Sequence, residues 1–383
     1  SMSAKTPSLI ATDAPQKITA PLSQAWTLPP QAYTSSEIFA AEVDSIFSKD
    51  WICVARIDQV KAPGDYICAD LPSQPIVVTR DQQGQLHALS RVCLHRAMPL
   101  VEGQGNTTRL VCPYHRWSYA LDGKLRSAPM MTGVEGFAES ALCLPELQLE
   151  VWQGFIFVNL DPQAQPLAPR LAGLLPLVSN YAFSEMQVLE TIEYDSPWNW
   201  KILVENFMEA YHHIGPHKQT FEPAYPARDA QILDNEGQPW VFLKMPGGHR
   251  VTVEEGAFPA LTPAQQHDLI AVCVFPTLLF GASAAGAAWY QLEPYGVGKM
   301  RLKIHGLYHP SITGEPSAED RADVVAMLKL IHEEDIVVNR GPWQGLQAAM
   351  TTQGRLSLFE QGIWQLNQLW VSGLGLKKPN HSG

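Results

Sequence analysis

The chain has 383 residues, of which 46% are hydrophobic and 17% are charged, so it can bury a large core and is not disordered. Its 27 Lys and Arg are outnumbered by 38 Asp and Glu, and the formal net charge of -11 argues against nucleic acid or an anionic membrane as a partner. Six Cys in so long a chain do not form a disulfide scaffold.

The N-terminal region predicts a short segment that ends in a helix. Residues 1–34 are polar and contain Pro, and they lack the apolar stretch of a secretory signal, so we expect a cytoplasmic enzyme. Between Ser35 and Phe47, apolar residues recur at helical spacing after Ser-Ser-Glu, a favourable helix start. We assign residues 1–48 to a segment whose helix packs on the C-terminal domain.

The pattern changes between Trp51 and Leu160. Short runs rich in Val, Ile, Tyr and Phe alternate there with turn residues, which is typical of an antiparallel β domain. Asp122-Gly123 has the composition of a hairpin turn. We assign this domain to residues 49–162.

Residues 163–383 predict a second, mixed domain that begins with a Pro-rich linker over Pro162–Pro176. The fold class is therefore α+β, with an antiparallel β domain followed by a sheet with helices. The predicted elements are helices over Trp198–Ile214, Ala318–Arg340 and Ser357–Leu374, and strands over Trp240–Leu243, Ala271–Phe280 and Lys299–Tyr308.

One stretch of this domain, Leu269–Leu292, has no charged residue and is as long as a transmembrane helix. Pro276 interrupts it and Gly281–Ala288 is a run of small residues. We therefore interpret it as two buried strands joined by a Gly/Ala turn, and we expect no membrane span. The chain also lacks the common nucleotide-binding glycine patterns, so a redox enzyme of this kind would receive its electrons from another protein.

Two short segments of the β domain each offer one thiolate and one imidazole: Cys93-Leu94-His95 and Cys112-Pro113-Tyr114-His115. Three interpretations compete. They could be unrelated core residues, or a structural zinc site, although zinc fingers usually place both Cys before both His. The third is a Rieske [2Fe–2S] cluster, in which two Cys bind one iron and two His bind the other. The pairing of the two segments favours the cluster.

These segments, with Arg96, Arg116-Trp117 and Asp122-Gly123, resemble the cluster loops of Rieske proteins. More closely, they resemble those of the α subunits of Rieske non-haem iron oxygenases. The resemblance implies a Rieske domain over 49–162 and a catalytic domain over 163–383 with a helix-grip-like antiparallel sheet. The remaining cysteines lack a nearby His and are expected to fill the core.

A second cluster of potential ligands lies between Glu205 and His217. On an unbroken helix His213 and His217 would share a face, but Gly215-Pro216 should end the helix, so spacing alone does not choose the pair. The segment resembles the family motif of an acid, two residues, His, four residues and His. That motif maps onto Glu209, His212 and His217, and it implies that the two His bind a mononuclear iron.

The third ligand of such an iron is a distant carboxylate. His332–Val338 contains an acidic cluster on the predicted helix, which could be a solvated face. It resembles the Glu-Asp segment of the family, which implies that Asp335 is the ligand, with Glu334 as the alternative. Two His and one carboxylate leave positions on Fe(II) for O₂ and substrate.

Glu209 has a separate implied role. In the family the acid at this position joins a metal-bound His, here His212, to a cluster His of a neighbouring subunit, here His115. The resemblance thus implies a homotrimer. Asn206 of the same segment is the other candidate catalytic residue.

Together the motifs imply the terminal component of an oxygenase with one Rieske cluster and one mononuclear Fe(II) per subunit. It would use O₂ and electrons from a separate NAD(P)H-dependent flavin and iron–sulfur reductase, directly or through a ferredoxin. The alternative from another class is a Rieske electron-transfer protein without catalysis. Iron content separates them, since only the oxygenase has a third iron.

The substrate is predicted only as a small organic molecule. Ring-hydroxylating dioxygenases commonly carry Asp where this chain has Glu209, and the Glu resembles the branch that hydroxylates or demethylates quaternary amines. His213–Pro216 departs from that branch, so an aromatic or alicyclic substrate stays open. A quaternary ammonium could bind over aromatic faces, for which the candidates are Phe221, Tyr225, Trp240, Trp289 and Tyr290.

Overall fold

The computed structural model describes residues 10–253 and 258–376. Residues 48–166 form one compact unit, and the segments before and after them form the other. The predicted domain boundaries lay at 48/49 and 162/163, within four residues of these divisions. Positions 1–9 of the predicted N-terminal segment, and 377–383 of the predicted catalytic domain, lie outside the described residues.

The first unit is built from three small antiparallel sheets, which confirms the predicted β domain. Its core packs aromatic and aliphatic side chains around the two sulfurs of Cys93 and Cys112. The sheets have the strand orders β1-β10-β9, β4-β3-β2-β5 and β6-β7-β8. The strands are β1 (Ile52–Arg56), β2 (Asp65–Leu71), β3 (Gln74–Arg80), β4 (Leu86–Ser90), β5 (Gln104–Asn106), β6 (Leu110–Val111), β7 (Ser118–Tyr119), β8 (Leu125–Ser127), β9 (Gln148–Trp152) and β10 (Phe155–Asn159).

The second unit begins with short helices: α1 (Ala14–Thr19), α2 (Gln31–Thr34) and α3 (Ser36–Glu42). The hydroxyl of Ser35 accepts a hydrogen bond from the N–H of Ile38 and so caps α3, as the sequence predicted. The predicted helix continues to Phe47, but its last five residues are wound as a π-helix.

One seven-stranded antiparallel sheet organises the second unit, in the order β11-β17-β16-β15-β14-β13-β12. The strands are β11 (Gln187–Ser196), β12 (Gln231–Ile232), β13 (Trp240–Pro246), β14 (Asp268–Val274), β15 (Leu278–Ser283), β16 (Gly286–Gly296) and β17 (Lys299–Tyr308). The uncharged stretch Leu269–Leu292 is therefore part of the sheet, as predicted. It runs through three strands where two were expected, because the chain turns at Pro276 as well as at Ala284-Ala285.

In the described residues of this unit, the remaining α-helices are α4 (Leu175–Val178), α5 (Trp200–Phe207), α6 (Pro310–Thr313), α7 (Ala318–Leu346) and α8 (Gln361–Gly373). The predicted helix at 318–340 is confirmed and extends six residues further, through Pro342, whose missing N–H removes one backbone hydrogen bond. A single 3₁₀ turn precedes α8 within the predicted helix at 357–374. Within the described residues, no helix combines the length and apolar character needed to cross a bilayer.

Two predicted elements were wrong. The segment Pro162–Pro176 is not a free linker, because Leu167, Leu171 and Leu174 are buried to at least 99% in the second unit. The helix predicted to reach Ile214 ends at Phe207, where the N–H of Met208 is shared between two carbonyl groups of the last turn. The break thus comes before Glu209 rather than at Gly215-Pro216.

The long helix α7 packs against β11 and β17. A side chain at Gly306 on β17 would come within 2.7 Å of Val324, so the absence of a Cβ lets the helix approach the sheet closely. The buried side chains of α7 are Leu328, His332, Asp335 and Asn339, which share one helix face. This antiparallel sheet with helices confirms the predicted α+β fold.

A buried ion pair fixes the start of α5. The ammonium of Lys201 lies 2.6 Å from a carboxylate oxygen of Glu42, and the indole N–H groups of Trp200 and Trp370 donate to the same carboxylate. Because the charges are almost fully buried, this many partners are needed to offset their lost hydration. The network attaches α5 to the N-terminal helices and to α8, and so determines where the chain beyond α5 begins.

Candidate metal centres

The two Cys/His segments form neighbouring loops with the same backbone hydrogen bonds. The N–H of Cys93 donates to the carbonyl of Met98, and that of Cys112 donates to the carbonyl of Trp117. In both loops the fourth residue after Cys, Ala97 or Arg116, has φ above +60° and its N–H donates back to the Cys carbonyl. This left-handed conformation costs a non-glycine residue about 1–2 kcal/mol. The paired loops therefore hold a specific and strained geometry.

The loops bury their sulfurs and expose their imidazoles. Cys93 and Cys112 are at most 4% exposed, whereas both His are exposed and their Nδ1 atoms lie 3.1 Å apart. Burial raises the pKa of the Cys112 thiol and the adjacent Cys93 thiol raises it further, while the N–H groups of Tyr114 and His115 lower it. The hydroxyl of Tyr119 lies 3.3 Å from the Cys93 sulfur.

This arrangement suits two ions better than one. Among the residues that the structure describes, only His212, His217 and Asp335 bring three or more candidate ligand atoms within 4.8 Å of one another. The four Cys and His side chains of the loops do not, although a tetrahedral zinc would need them to. A pair of Cys and a separate pair of His match the ligand set of a [2Fe–2S] cluster, one pair for each iron.

In the second unit, an irregular segment follows α5. Glu209 lies in the break after the helix, and Tyr211–Ile214 forms one 3₁₀ turn. The predicted helix over Trp198–Ile214 would have placed Glu209 and His212 on one helix face, but α5 ends before either residue. Their side chains nevertheless meet, because Nδ1 of His212 lies 2.5 Å from Oε1 of Glu209 and the His212 N–H donates to the other carboxylate oxygen.

The structure brings together the three residues named for the mononuclear site. Nε2 of His217 lies 2.9 Å and Nε2 of His212 lies 3.3 Å from Oδ1 of Asp335, and neither contact has hydrogen-bond geometry. Ligands about 2.1 Å from one divalent ion, and about a right angle apart, are separated by about 3 Å. Both imidazole nitrogens therefore lie at about ligand spacing from the Asp335 oxygen, and one ligand atom from each of the three side chains lies within 4.8 Å of the others.

The electrostatics of this cluster fit a cation. Burial alone would raise the pKa of Asp335, but the two imidazoles hold it well below its usual range, so its carboxylate is charged. Burial would lower the pKa of His212, yet Asp335 and Glu209 raise it to about 10. The triad of His212, His217 and Asp335 therefore attracts positive charge to the space between its two Nε2 atoms and the Asp335 oxygen. A metal ion would displace the His212 proton, so affinity should fall at acid pH.

In His212 and His217, the ring nitrogen that faces away from Asp335 contacts a carboxylate. Nδ1 of His217 lies 2.9 Å from Oε1 of Glu334, which also accepts the hydroxyl of Thr220 at 2.8 Å. Glu209 does the same for His212. Such partners fix the ring orientation and the tautomer, leaving Nε2 for the ion. Glu334, the alternative carboxylate ligand, thus contacts His217 Nδ1 and Thr220, whereas Asp335 lies next to the Nε2 atoms of both imidazoles.

His213 lies next to the triad of His212, His217 and Asp335 but does not belong to it. Its Nδ1 lies 3.0 Å from the carbonyl of Tyr225, and its ring stacks on Phe221 with 5.2 Å between centroids. Burial lowers the pKa of His213 to about 4, so the ring is neutral. Asn206 is half-buried in the last turn of α5, and among the described residues no hydrogen bond links it to the three clustered side chains.

The five candidate cage aromatics are not brought together. Phe221 lies 5.0 Å from the His217 ring, and Tyr290 lies 4.9 Å from Phe207 at the end of α5. Trp289 stacks instead on His305, on the opposite face of the sheet from Tyr290, because successive side chains of a strand alternate. Trp240 also lies on that opposite face, next to Gly173.

The sequence analysis missed several side chains close to the cluster. Tyr194, Trp198 and His332 come together with Tyr290, at ring distances of 4.4 to 6.5 Å from His332. Tyr194 lies near the end of β11 and Trp198 lies two residues beyond it, and neither position carried a recognisable signal. Only the helical spacing of His332 and Asp335 could have placed one of them beside the candidate metal site.

Two family models match the chain. The Rieske [2Fe-2S] domain matches residues 50–138, and the ring hydroxylating alpha subunit (catalytic domain) matches residues 183–375. The first contains both Cys/His loops and the second contains the whole triad.

Curated relatives include the carnitine monooxygenase oxygenase subunit of Acinetobacter baumannii, 35% identical over 50% of this chain and 52% of that protein. The chloroplastic choline monooxygenase of Atriplex hortensis is 33% identical over 90% of this chain and 77% of that protein. The aligned part of this chain spans about half the length of the carnitine monooxygenases that it matches.

Similar folds are found among solved structures. A quaternary ammonium Rieske monooxygenase superposes with a TM-score of 0.81 at 25% identity, over 95% of this chain and 98% of that one. Naphthalene 1,2-dioxygenase from a Rhodococcus species gives 0.80 at 19% identity, over 98% of this chain and 100% of that one. The latter likeness concerns the fold alone.

Proposed function

This chain belongs to the α subunits of the Rieske-type ring-hydroxylating oxygenases, and we propose that it is the terminal component that oxygenates a small quaternary amine. The observation that carries the proposal is the convergence of His212, His217 and Asp335 at ligand spacing, in a chain that also holds the paired Cys/His loops. An electron-transfer protein would need the loops but not the triad.

The residues fit the two iron groups of the family. Cys93, His95, Cys112 and His115 would hold a [2Fe–2S] cluster, and the triad would hold a mononuclear Fe(II). When bound, these groups supply single electrons and the activation of O₂ for attack on a C–H bond. Glu209 and Glu334 accept hydrogen bonds from the ligand rings and keep each Nε2 directed at the ion. The buried aromatic rings around the site exclude water and orient the substrate.

The partners follow from the same chemistry. The sequence has no nicotinamide or flavin fingerprint, so electrons would come from an NAD(P)H-dependent reductase, directly or through a ferredoxin. The cluster imidazoles are exposed, which suits entry and exit of electrons at that edge. We infer a homotrimer in which Glu209 joins His212 of one subunit to His115 of the next.

Two observations support a quaternary amine as the substrate. The named relatives act on carnitine and choline, and Glu209 stands where aromatic dioxygenases commonly carry Asp. An N-methyl group would be hydroxylated, or lost after hydroxylation. An aromatic substrate is the second candidate, favoured by the departure of His213–Pro216 from the quaternary-amine branch.

Product analysis tests this function. The purified protein, with a generic ferredoxin-type reductase and NADH, is offered carnitine, glycine betaine, choline and naphthalene. We expect formaldehyde or a hydroxylated product from at least one amine and none from naphthalene. NADH oxidation by the chain without the reductase would contradict the need for a separate reductase, and naphthalene diol formation would favour the second candidate.

Replacing Glu209 with Gln tests the bridge. The amide keeps the shape, but its NH₂ group donates where an imidazole N–H needs an acceptor. We expect both metal groups and the oligomeric state to be retained, while electron transfer from the reduced cluster slows by orders of magnitude. The measurement is cluster oxidation in a single turnover of iron-replete protein with substrate and O₂.

A purely local role of Glu209 predicts a different result. If the carboxylate only orients His212, iron occupancy should drop and the transfer rate per bound iron should survive. Normal cluster oxidation in the iron-replete variant would therefore remove the bridging role. Glu334→Gln is the matched control, because it makes the same change behind the other ligand.

A further inference from the structure

Gly362 of α8 lies against the end of α5 with no space for a side chain. It is buried, and a Cβ at this position would lie 2.4 Å from the carbonyl oxygen of Met208 and 3.1 Å from Cδ1 of Ile232. Its φ is outside the left-handed region, so any residue could adopt its backbone conformation. Glycine in a helix costs about 1 kcal/mol relative to alanine. The close approach to Met208, rather than the backbone conformation, therefore explains a glycine here.

The carbonyl that Gly362 approaches belongs to the peptide bond between Met208 and Glu209. Because a peptide group is planar and rigid, a displacement of this carbonyl also moves the Cα of Glu209. The Glu209 carboxylate accepts a hydrogen bond from the backbone N–H of His212 and contacts Nδ1 of its ring. A movement at Met208 therefore reaches a proposed iron ligand only four residues later.

Two other contacts place the start of α8 along the same segment. The ring of Phe359, in the turn before α8, stacks on the ring of Tyr211 with 6.4 Å between centroids. Burial raises the pKa of Glu360, and the nearby charge of Glu209 raises it further. The first turn of α8 and the turn before it thus lie beside the chain from Met208 to Tyr211.

Helix α8 also contacts the start of α5. The indole N–H of Trp370 donates to Glu42, whose carboxylate also accepts the indole N–H of Trp200 at the start of α5. Gly362 lies eight residues before Trp370, and Met208 lies eight residues after the first residue of α5. Eight helical residues span about 12 Å in both cases. The two helices therefore run antiparallel with contacts at both ends, so α8 fixes the distance between the start and the end of α5.

We propose that Gly362 is a positioning residue of the metal triad. Because it has no side chain, α8 approaches the Met208 carbonyl and thereby determines where Glu209 and His212 lie. This inference rests on the proposed function, since it needs an ion at the triad.

Gly362→Ala tests the proposal by adding one methyl group. The new carbon would lie about 1 Å inside the ordinary contact distance from the Met208 oxygen, whereas a preorganised site tolerates displacements of about 0.5 Å. We expect Fe(II) to bind the triad at least about tenfold more weakly, as when a supporting partner of a metal ligand is lost. Anaerobic calorimetric titration with Fe(II) measures this, on full-length protein that retains its cluster and has lost its mononuclear iron to a chelator.

A spectroscopic signature accompanies the affinity. Nitric oxide makes a mononuclear ferrous site visible by EPR, and the signal depends on how the ligands are arranged. We expect the signal of Gly362→Ala to differ from that of the wild type. A merely structural role of Gly362 predicts a lower unfolding midpoint of the iron-free protein, with unchanged iron affinity and an unchanged EPR signal.

Gly373→Ala is the matched control at the far end of the same helix. There the added Cβ would lie 3.0 Å from a side-chain carbon of Ile46, and a side chain can move aside where a backbone carbonyl cannot. Iron affinity and the EPR signal should equal those of the wild type.

Phe359→Ala is a second variant in case Gly362→Ala does not fold. Phe359 is 47% exposed, so the fold should survive its loss. Without its stack on Tyr211, iron binding should weaken about twofold or more, the effect of losing an aromatic pair. If Gly362→Ala fails to fold, unchanged iron affinity in Phe359→Ala overturns the proposal.

The outcomes separate this inference from the proposed function. Wild-type protein that binds no Fe(II) at the triad overturns the proposed function and this inference with it. Wild-type binding with unchanged affinity in Gly362→Ala overturns the positioning role alone. An equal loss of affinity in Gly373→Ala likewise overturns it.

Discussion

Replacing His212, His217 or Asp335 with alanine is expected to remove the mononuclear iron and to lower turnover by more than about 100-fold, beyond what loss of a supporting partner costs. Each variant leaves two of the three converging ligand atoms in place, which do not hold the ion on one face. The cluster should remain, because its loops belong to the other folded unit. Metal analysis should find about two iron atoms per chain in place of about three.

His213→Ala is the control for that series. It removes an adjacent buried imidazole whose Nδ1 is engaged with the Tyr225 carbonyl, so iron should be retained. Loss of iron in His213→Ala together with retention in His212→Ala would mean that the triad has been assigned to the wrong histidine.

Cys93→Ser and His115→Ala are expected to abolish the [2Fe–2S] absorption and the brown colour of the purified protein. Serine is a poor substitute for a thiolate ligand, and each iron of the cluster depends on its own pair of side chains. Visible absorption and iron content measure the loss. The mononuclear iron should be retained, and turnover should cease because no electrons arrive.

Cys143→Ser is the matched control, since Cys143 is a free cysteine in the same unit. The expectation that Cys143 fills the core was wrong, because its side chain is exposed. Its absorption should equal that of the wild type. An unchanged spectrum in Cys93→Ser would contradict the cluster assignment.

The sequence predicted what depends on short-range spacing. The Cys/His loops and the segment from Glu209 to His217 each lie within a dozen residues, so their residue types and order already indicated metal binding. The two-unit organisation and the antiparallel strands followed from alternation and turn composition. Asp335 came from the family pattern, and the structure places its carboxylate beside both imidazoles.

What the sequence could not predict depends on tertiary packing. The end of α5 at Phe207 has no Gly or Pro nearby to signal it. A shift of one residue along β16 separates Tyr290, which contacts Phe207 of α5 and His332 of α7, from Trp289, which lies on the opposite face of the sheet. Periodicity alone does not say which face is which. Tyr194 and His332 become neighbours only because α7 packs on β11.

His217 forms a hydrogen bond with Glu334, which lies 117 residues further along the chain. This long separation affects folding. An ion shared by His217 and Asp335 closes a chain loop that contains most of the sheet, and bringing the ends of so long a loop together costs conformational entropy. An ion that binds only the folded chain stabilises it by mass action. Metal affinity and fold stability are thus thermodynamically linked. A destabilising substitution on any strand within the loop should weaken iron binding even though it changes no ligand. Iron binding should in turn shift the unfolding midpoint of the second unit alone.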